Sequence, residues 1–214
     1  MQTYQIRNKE LIAILDRFMS VLLSVDRSKF PYGPNGQNKM PQGGEFTADY
    51  LCGEEYLKHM QSKKVDGFPE ITKGVDLGQW QPPQPELRAA LKKLDEELIA
   101  WSGSRNNAVK MLYPKGGYMG WHHNANASGR NLLLSWSKEG KGYFRYQDPI
   151  TKEIVTMYDT PGWTCKAGYY GRFDEPEKIY WHCAWAEPEE RFTLGYIIPH
   201  DGLWQDMIDD IQTE

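Results

Sequence analysis

Cysteine is scarce in this chain, and the three residues present, Cys52, Cys165 and Cys183, include no Cys-x-x-Cys pair. An odd and sparse set of this kind argues against a disulfide framework and against a structural zinc site, which leaves packed thiols in a reducing compartment. Long apolar runs are also missing, since none approaches the roughly twenty residues needed to cross a bilayer. The first residues, Met1-Gln2-Thr3-Tyr4, lack the basic and then apolar stretch of a signal peptide, so the expected location is cytoplasmic, with no membrane partner. Blocks of like charge are absent too. Lys and Arg are scattered and the formal net charge is only -4, so there is no basic footprint for a phosphate backbone and nucleic acid is an unlikely partner. Neither an internal repeat nor a low-complexity tract interrupts the chain.

What is present in quantity is aromatic residues, at 13% of the chain with eight Trp and thirteen Tyr, ample material for a core. Apolar positions at Leu11, Ile14, Leu15, Phe18, Met19 and Leu22 recur at three- and four-residue steps and predict an amphipathic helix over 8–24. A Gly/Pro/Asn-rich loop follows over 31–44, then a second helix over 47–61 with Thr47 as N-cap and Gly53 as its weak point. After another loop over 63–84, Pro85 suits a first helical turn, and Leu87, Leu91, Leu94 and Leu98 predict a helix that closes near Gly103. Beyond Ser104 the pattern changes to short β-type runs separated by turn residues, at 108–113, 118–122, 131–137, 142–146, 154–159, 163–167, 178–184 and 191–198. Eight runs at about ten-residue spacing predict an antiparallel barrel or jelly roll. The expected fold class is therefore α+β, a double-stranded β-helix (jelly roll) core with an N-terminal helical layer. One compact unit is expected from 214 residues, with mainly helical support over 1–104, the jelly-roll core over 105–199 and a C-terminal helix within 200–214.

The residues with chemistry cluster in that second half. His122 and His123 end one predicted strand and His182 lies on another, and strands distant in sequence become neighbours in a jelly roll. Mononuclear non-haem iron is commonly held by two His and one carboxylate on one face. Gly120-Trp121-His122-His123-Asn124 offers His-x-Asn where such a site has His-x-Asp or His-x-Glu, and on an extended strand the i and i+2 side chains share a face. Nine residues after His182, Arg191 and Thr193 share a face of the strand Arg-Phe-Thr-Leu-Gly-Tyr-Ile-Ile. A guanidinium fork suits a terminal carboxylate, and a hydroxyl two residues on adds a further hydrogen bond. Taken singly, each histidine is more often a hydrogen-bonded structural residue, Arg191 a surface ion-pair residue, and Thr193 a β-branched strand former. The ordered set is what points to a site.

Residues 108–198 resemble the iron(II) and 2-oxoglutarate dependent oxygenases, most closely their prolyl-hydroxylase-like branch. The matching pieces are Tyr113-Pro114, Gly116-Gly117-Tyr118, His122-x-Asn124, Gly129-Arg130, Pro161-Gly162, His182 and Arg191-x-Thr193. The resemblance implies iron ligation by His122 and His182 with Asn124 at the third position. It also implies a salt bridge from Arg191 to 2-oxoglutarate, a hydrogen bond to it from Thr193, and a pocket role for Tyr113. Fe(II), the co-substrates 2-oxoglutarate and dioxygen, and supportive ascorbate would be the cofactor set. The implied reaction hydroxylates a peptide or amino-acid-like substrate while 2-oxoglutarate is decarboxylated to succinate.

Asn124 is the departure, because an amide oxygen is neutral and a weaker ligand than a carboxylate. His123 and Asn126 are alternative ligands if the register shifts. Two competing readings stand beside the oxygenase. One is a jelly-roll binding module or catalytically impaired homologue, which Asn124 would explain. The other is a cupin-type metal protein with a different reaction, which has no need of Arg191-x-Thr193. Trp121, Trp181 and Trp185 flank the histidines and are expected to wall the pocket, while the loops over 31–46 and 63–84 are expected to shape its entrance.

Overall fold

The computed structural model describes residues 1–104, 106–186 and 189–214. In chain order the elements are β1 (Gln2–Tyr4), α1 (Lys9–Ser24), α2 (Ala48–Leu51), α3 (Glu54–Gln61), β2 (Thr72–Lys73), β3 (Val75–Asp76) and α4 (Pro85–Ser102). There follow β4 (Asn106–Tyr113), β5 (Gly117–His122), β6 (Gly129–Ser137), β7 (Tyr143–Gln147), β8 (Ile154–Tyr158), β9 (Gly162–Tyr170), β10 (Trp181–Ala186), β11 (Arg191–Ile198) and α5 (Asp201–Gln212).

Local chemistry explains where the helices begin and end. Asn8 caps α1 by accepting the Leu11 N–H at 2.9 Å, and Thr47 caps α2 by accepting that of Tyr50. Gly103, at φ 62°, closes α4 in the left-handed conformation that glycine adopts without strain. The single helix expected over 47–61 is instead two, broken at Cys52-Gly53. At Gly53 the carbonyl of Asp49 comes so near that a Cβ would lie 2.5 Å from its oxygen.

The strands form two antiparallel sheets. One runs β1-β9-β6-β11-β4-β3 and the other β2-β5-β10-β7-β8. Counted from β4, the central four of the first are strands six, three, eight and one, and the four that follow β2 in the second are two, seven, four and five. Successive strands thus alternate mostly between sheets, which is the winding of a double-stranded β-helix, so the fold is an α+β jelly roll. All eight expected runs contain strands; β4, β6 and β9 are longer than their patterns suggested, and β10 begins at Trp181 rather than at Lys178, which ends a 3-10 turn. Three short strands, β1, β2 and β3, were not anticipated; two lie in the segment read as a loop over 63–84, and all three extend sheet edges. At two or three residues they are too short to show a period-two pattern.

Period-two alternation then sorts side chains between the faces of each sheet. On the outer face of the first, Leu132, Leu134, Phe192 and Leu194 pack against Leu11, Leu15 and Phe18 of α1, Leu94 and Leu98 of α4 and Ile211 of α5. On the outer face of the second, Tyr118, Trp121 and Cys183 pack against Leu51 of α2 and Tyr56 and Met60 of α3. Helices therefore cover both outer faces rather than one. Cys52, Cys165 and Cys183 are buried free thiols. Among the described residues no helix is long and apolar enough to cross a membrane.

Candidate active site

Between the inner faces lies a cavity of about 630 Å³. His122 and His182 enter it from adjacent strands of the smaller sheet. They are directly paired across β5 and β10, beside a bulge in β5 where Gly120 and Trp121 oppose Cys183 alone, and their ring centroids are 4.1 Å apart. Each ring is fixed by its own strand: Nδ1 of His122 lies 2.9 Å from the Gly120 carbonyl oxygen, and Nδ1 of His182 lies 2.9 Å from that of Tyr180. A carbonyl can only accept, so Nδ1 carries the proton in both rings and Nε2 keeps its lone pair. Burial, and for His122 also the neighbouring His182, holds both imidazoles neutral; His122 is pushed well below the ordinary histidine range and His182 falls to about 4. Phe144 stacks on His182 at 5.3 Å and Tyr170 lies 5.0 Å from it, walling that side.

Asn124 is not on the strand as the i, i+2 argument requires. β5 ends at His122, and Asn124 sits in the turn that opens the short helix Ala125–Ala127, at φ −111° and ψ 38°. It nevertheless lines the cavity, and its Nδ2 lies 3.4 Å from Nε2 of His182, placed to donate to that lone pair. The two alternative ligands are placed differently. His123 packs edge-on against Trp181 and Phe173, with Nδ1 accepting the Ala125 N–H, while Asn126 reaches the cavity wall and packs close to Gly67. Trp121, Trp181 and Trp185 do not line the cavity, contrary to expectation. Trp121 is buried in the cluster under α2 and α3, against which the other two pack; one or three residues from an inward histidine is, by strand parity, the opposite face.

The larger sheet supplies the other pole. Arg191 and Thr193 on β11 and Tyr113 on β4 all line the cavity, and Arg191 is paired with Tyr113 in the β-ladder. The guanidinium carbon lies 5.7 Å from the Tyr113 ring centroid, and Arg191 donates to Thr193 Oγ1 through Nη1 and to Ser135 Oγ through Nη2. Arg191 is 1% exposed, and it already has a carboxylate partner, Asp159, at 2.6 Å. Asp159 in turn accepts from Lys166 Nζ at 2.5 Å. Burial opposes ionisation of Asp159, but the two cations and their hydrogen bonds outweigh it and hold the carboxyl at about 2.

Asp159, Lys166, Ser135 and Tyr170 went unread in the sequence. Lys166 left a signal, since it sits at an inward position of an otherwise apolar strand, two residues from Thr164 and four from Tyr170, where a solvated lysine has no place. The Tyr170 hydroxyl is buried with no hydrogen-bond partner among the described residues, and Tyr170 lines the cavity. Both expected loops contribute to the cavity lining, through Pro31 and Asn35 from one and Phe68, Pro69, Gln79 and Trp80 from the other. Among the described residues no three His, Cys, Asp or Glu side chains converge as a metal cage. The donors that do meet are two imidazoles and one amide, a neutral set that suits a first-row divalent cation better than calcium or magnesium.

No protein-family model matches the chain, and no curated protein matches it. Among solved structures, a prolyl-4-hydroxylase from Pseudomonas putida is 13% identical over 92% of this chain and 91% of that one, with a TM-score of 0.40. A cupin domain from Bordetella pertussis is 15% identical over 43% of this chain and 79% of that one, with a TM-score of 0.30. These likenesses concern the fold alone.

Proposed function

We propose that the chain is an iron(II) and 2-oxoglutarate dependent dioxygenase that hydroxylates a peptidyl or amino-acid-like substrate. The observation that carries the reading is the meeting, in one cavity, of two neutral imidazoles with inward Nε2 atoms from one sheet and a buried guanidinium from the other. His122 and His182 hold the metal, their rings fixed by Nδ1–H bonds to Gly120 and Tyr180. Asn124 would give up its Nδ2 contact with His182 and turn its amide oxygen to the metal as a neutral third donor. Arg191 and Thr193 bind the far carboxylate of 2-oxoglutarate, and Tyr113 packs beside it. Phe144 and Tyr170 keep water from the His182 side. Bound iron supplies the dioxygen chemistry that couples decarboxylation of 2-oxoglutarate to hydroxylation. Because the resident donors are neutral, the metal's charge is balanced by the co-substrate rather than by the protein.

The test is succinate formation from 2-oxoglutarate in the presence of iron(II), ascorbate and dioxygen, with no primary substrate added. Slow uncoupled turnover is expected, abolished by His182→Ala. Its absence in a folded, metal-loaded protein would count against the enzyme. A second reading is favoured by the Asp159 contact: with Arg191 partly engaged and Asn124 in place of a carboxylate, the chain would bind carboxylates without turnover. Binding of 2-oxoglutarate with no succinate formed selects that reading.

A further inference from the structure

Behind Arg191 stand two groups that the dioxygenase reading leaves idle. Asp159 accepts from Arg191 Nε at 2.6 Å and Nη2 at 3.4 Å and from Lys166 Nζ at 2.5 Å. Arg191 lines the cavity, and neither Asp159 nor Lys166 does; both side chains are 0% exposed. The guanidinium is therefore gripped by its Nε edge from the rear, while Nη1 and Nη2 are turned to Thr193 and Ser135. The backbone accommodates this grip at Gly142, where a Cβ would lie 2.8 Å from Asp159 Oδ2 and 3.0 Å from Arg191 Cδ.

The charges of the group do not cancel. Asp159 is ionised well below neutral pH. Lys166 is held below the ordinary lysine range by burial, with Asp159 opposing that shift and Arg191 adding to it, while its Nζ stays paired with the Asp159 carboxylate; Arg191 stays protonated at every ordinary pH. Two cations and one anion leave one net positive charge out of water, an unfavourable state unless a further anion arrives. Without Lys166 the pair Arg191–Asp159 would be neutral and would offer an incoming carboxylate hydrogen bonds but no net attraction.

We propose that Asp159 and Lys166 are positioning residues for Arg191: Asp159 fixes the direction of the guanidinium, and Lys166 restores the charge that Asp159 cancels, so that the site accepts one singly charged carboxylate. This rests on the reading of the cavity as a carboxylate site. Neither residue touches the ligand, and Lys166 acts on it only through charge.

The dissociation constant of glutarate, a dicarboxylate without the keto group that chelates a metal, is measured on metal-free protein at low ionic strength by ligand-observed NMR. Lys166→Met is expected to weaken glutarate roughly ten- to fiftyfold, the scale of removing one unit charge several ångströms away at an effective dielectric near 20. Lys166→Met combined with Asp159→Asn returns the net charge to one and is expected to recover affinity to within about threefold of the wild type. Unchanged affinity in Lys166→Met, or a double variant weaker than Lys166→Met alone, overturns the proposal. If Lys166→Met does not fold, Lys166→Arg and Lys166→Gln replace it; the first should retain affinity and the second lose it, and equal affinities overturn the idea. Wild-type protein that binds glutarate but not 2-oxoglutarate keeps the charge pair and removes the co-substrate reading. Tight 2-oxoglutarate binding untouched by Lys166→Met does the reverse, and a wild type that binds neither overturns both.

Discussion

The two walls of the cavity are furnished unequally. On the larger sheet, Arg191, Asp159, Lys166, Ser135 and Thr193 form a buried network in which permanent charges are held by one another and by hydroxyls. On the smaller sheet, His122 and His182 are neutral and oriented by backbone carbonyls, and His182 also meets the Asn124 amide from a turn. The polar groups of the first wall are hydrogen-bonded to one another, but their charges sum to one positive; the second wall carries no charge. A buried network must be fully satisfied to be tolerated, whereas a neutral imidazole costs little when its Nε2 faces a cavity.

Changes on the larger-sheet wall should therefore cost stability, and changes on the smaller-sheet wall should alter binding. The largest effect is expected from Asp159→Ala, which leaves Arg191 and Lys166 facing each other without an anion. It should lower unfolding free energy by roughly 3–5 kcal/mol, the cost of breaking a buried pair from one side, read from urea denaturation at pH 7. A loss under about 1 kcal/mol would show that the network is less buried than the wall requires.

Acid should weaken the same wall. Asp159 has a folded-state carboxyl at about 2, below the roughly 3.9 of an unfolded aspartate. A depressed carboxyl contributes stability that is present above the unfolded value and is lost as pH falls through the folded one. Its contribution, on the order of 2–3 kcal/mol, should thus disappear between about pH 4 and pH 2. Asp159→Asn should flatten that limb of the stability profile, and an unchanged limb would assign it to other carboxylates.

On the smaller-sheet wall, Asn124→Asp puts an anionic donor beside His182. It should tighten cobalt(II), followed by its visible absorption, by about tenfold or more, with little change in folding stability. Weaker or equal binding would mean that the turn at Asn124 does not bring its side chain to the metal. The smallest effect is expected from Tyr170→Phe. Removing a buried hydroxyl without a partner among the described residues relieves a desolvation penalty, so the ligand-free protein should be unchanged or up to about 1 kcal/mol more stable. Destabilisation would reveal a hydrogen bond to that hydroxyl.

The eight strand patterns after residue 104 and the helices α1, α4 and α5 were legible, because long amphipathic segments write their periodicity into the chain. So was the inward facing of Arg191 and Thr193, which follows from two-residue spacing on a strand. The same parity rule, applied to Trp121, Trp181 and Trp185, would have turned them outward, and adjacency to histidine was the wrong guide. The break at Gly53 lay in a suspected spot, but its cause is a carbonyl of the preceding turn that no pattern reveals.

By itself, then, the sequence determined the jelly-roll class, the placement of its eight core strands along the chain and the candidate residues for a metal and a carboxylate, because alternation and spacing are local properties. Only the tertiary structure decided that His122 and His182 pair across neighbouring strands, that Asn124 reaches them from a turn, and that Asp159 and Lys166 stand behind Arg191. Those contacts join residues up to 60 positions apart. Their geometry is set by which strands lie side by side and by how burial forces charged groups to find one another, and neither is written in any single stretch of the chain.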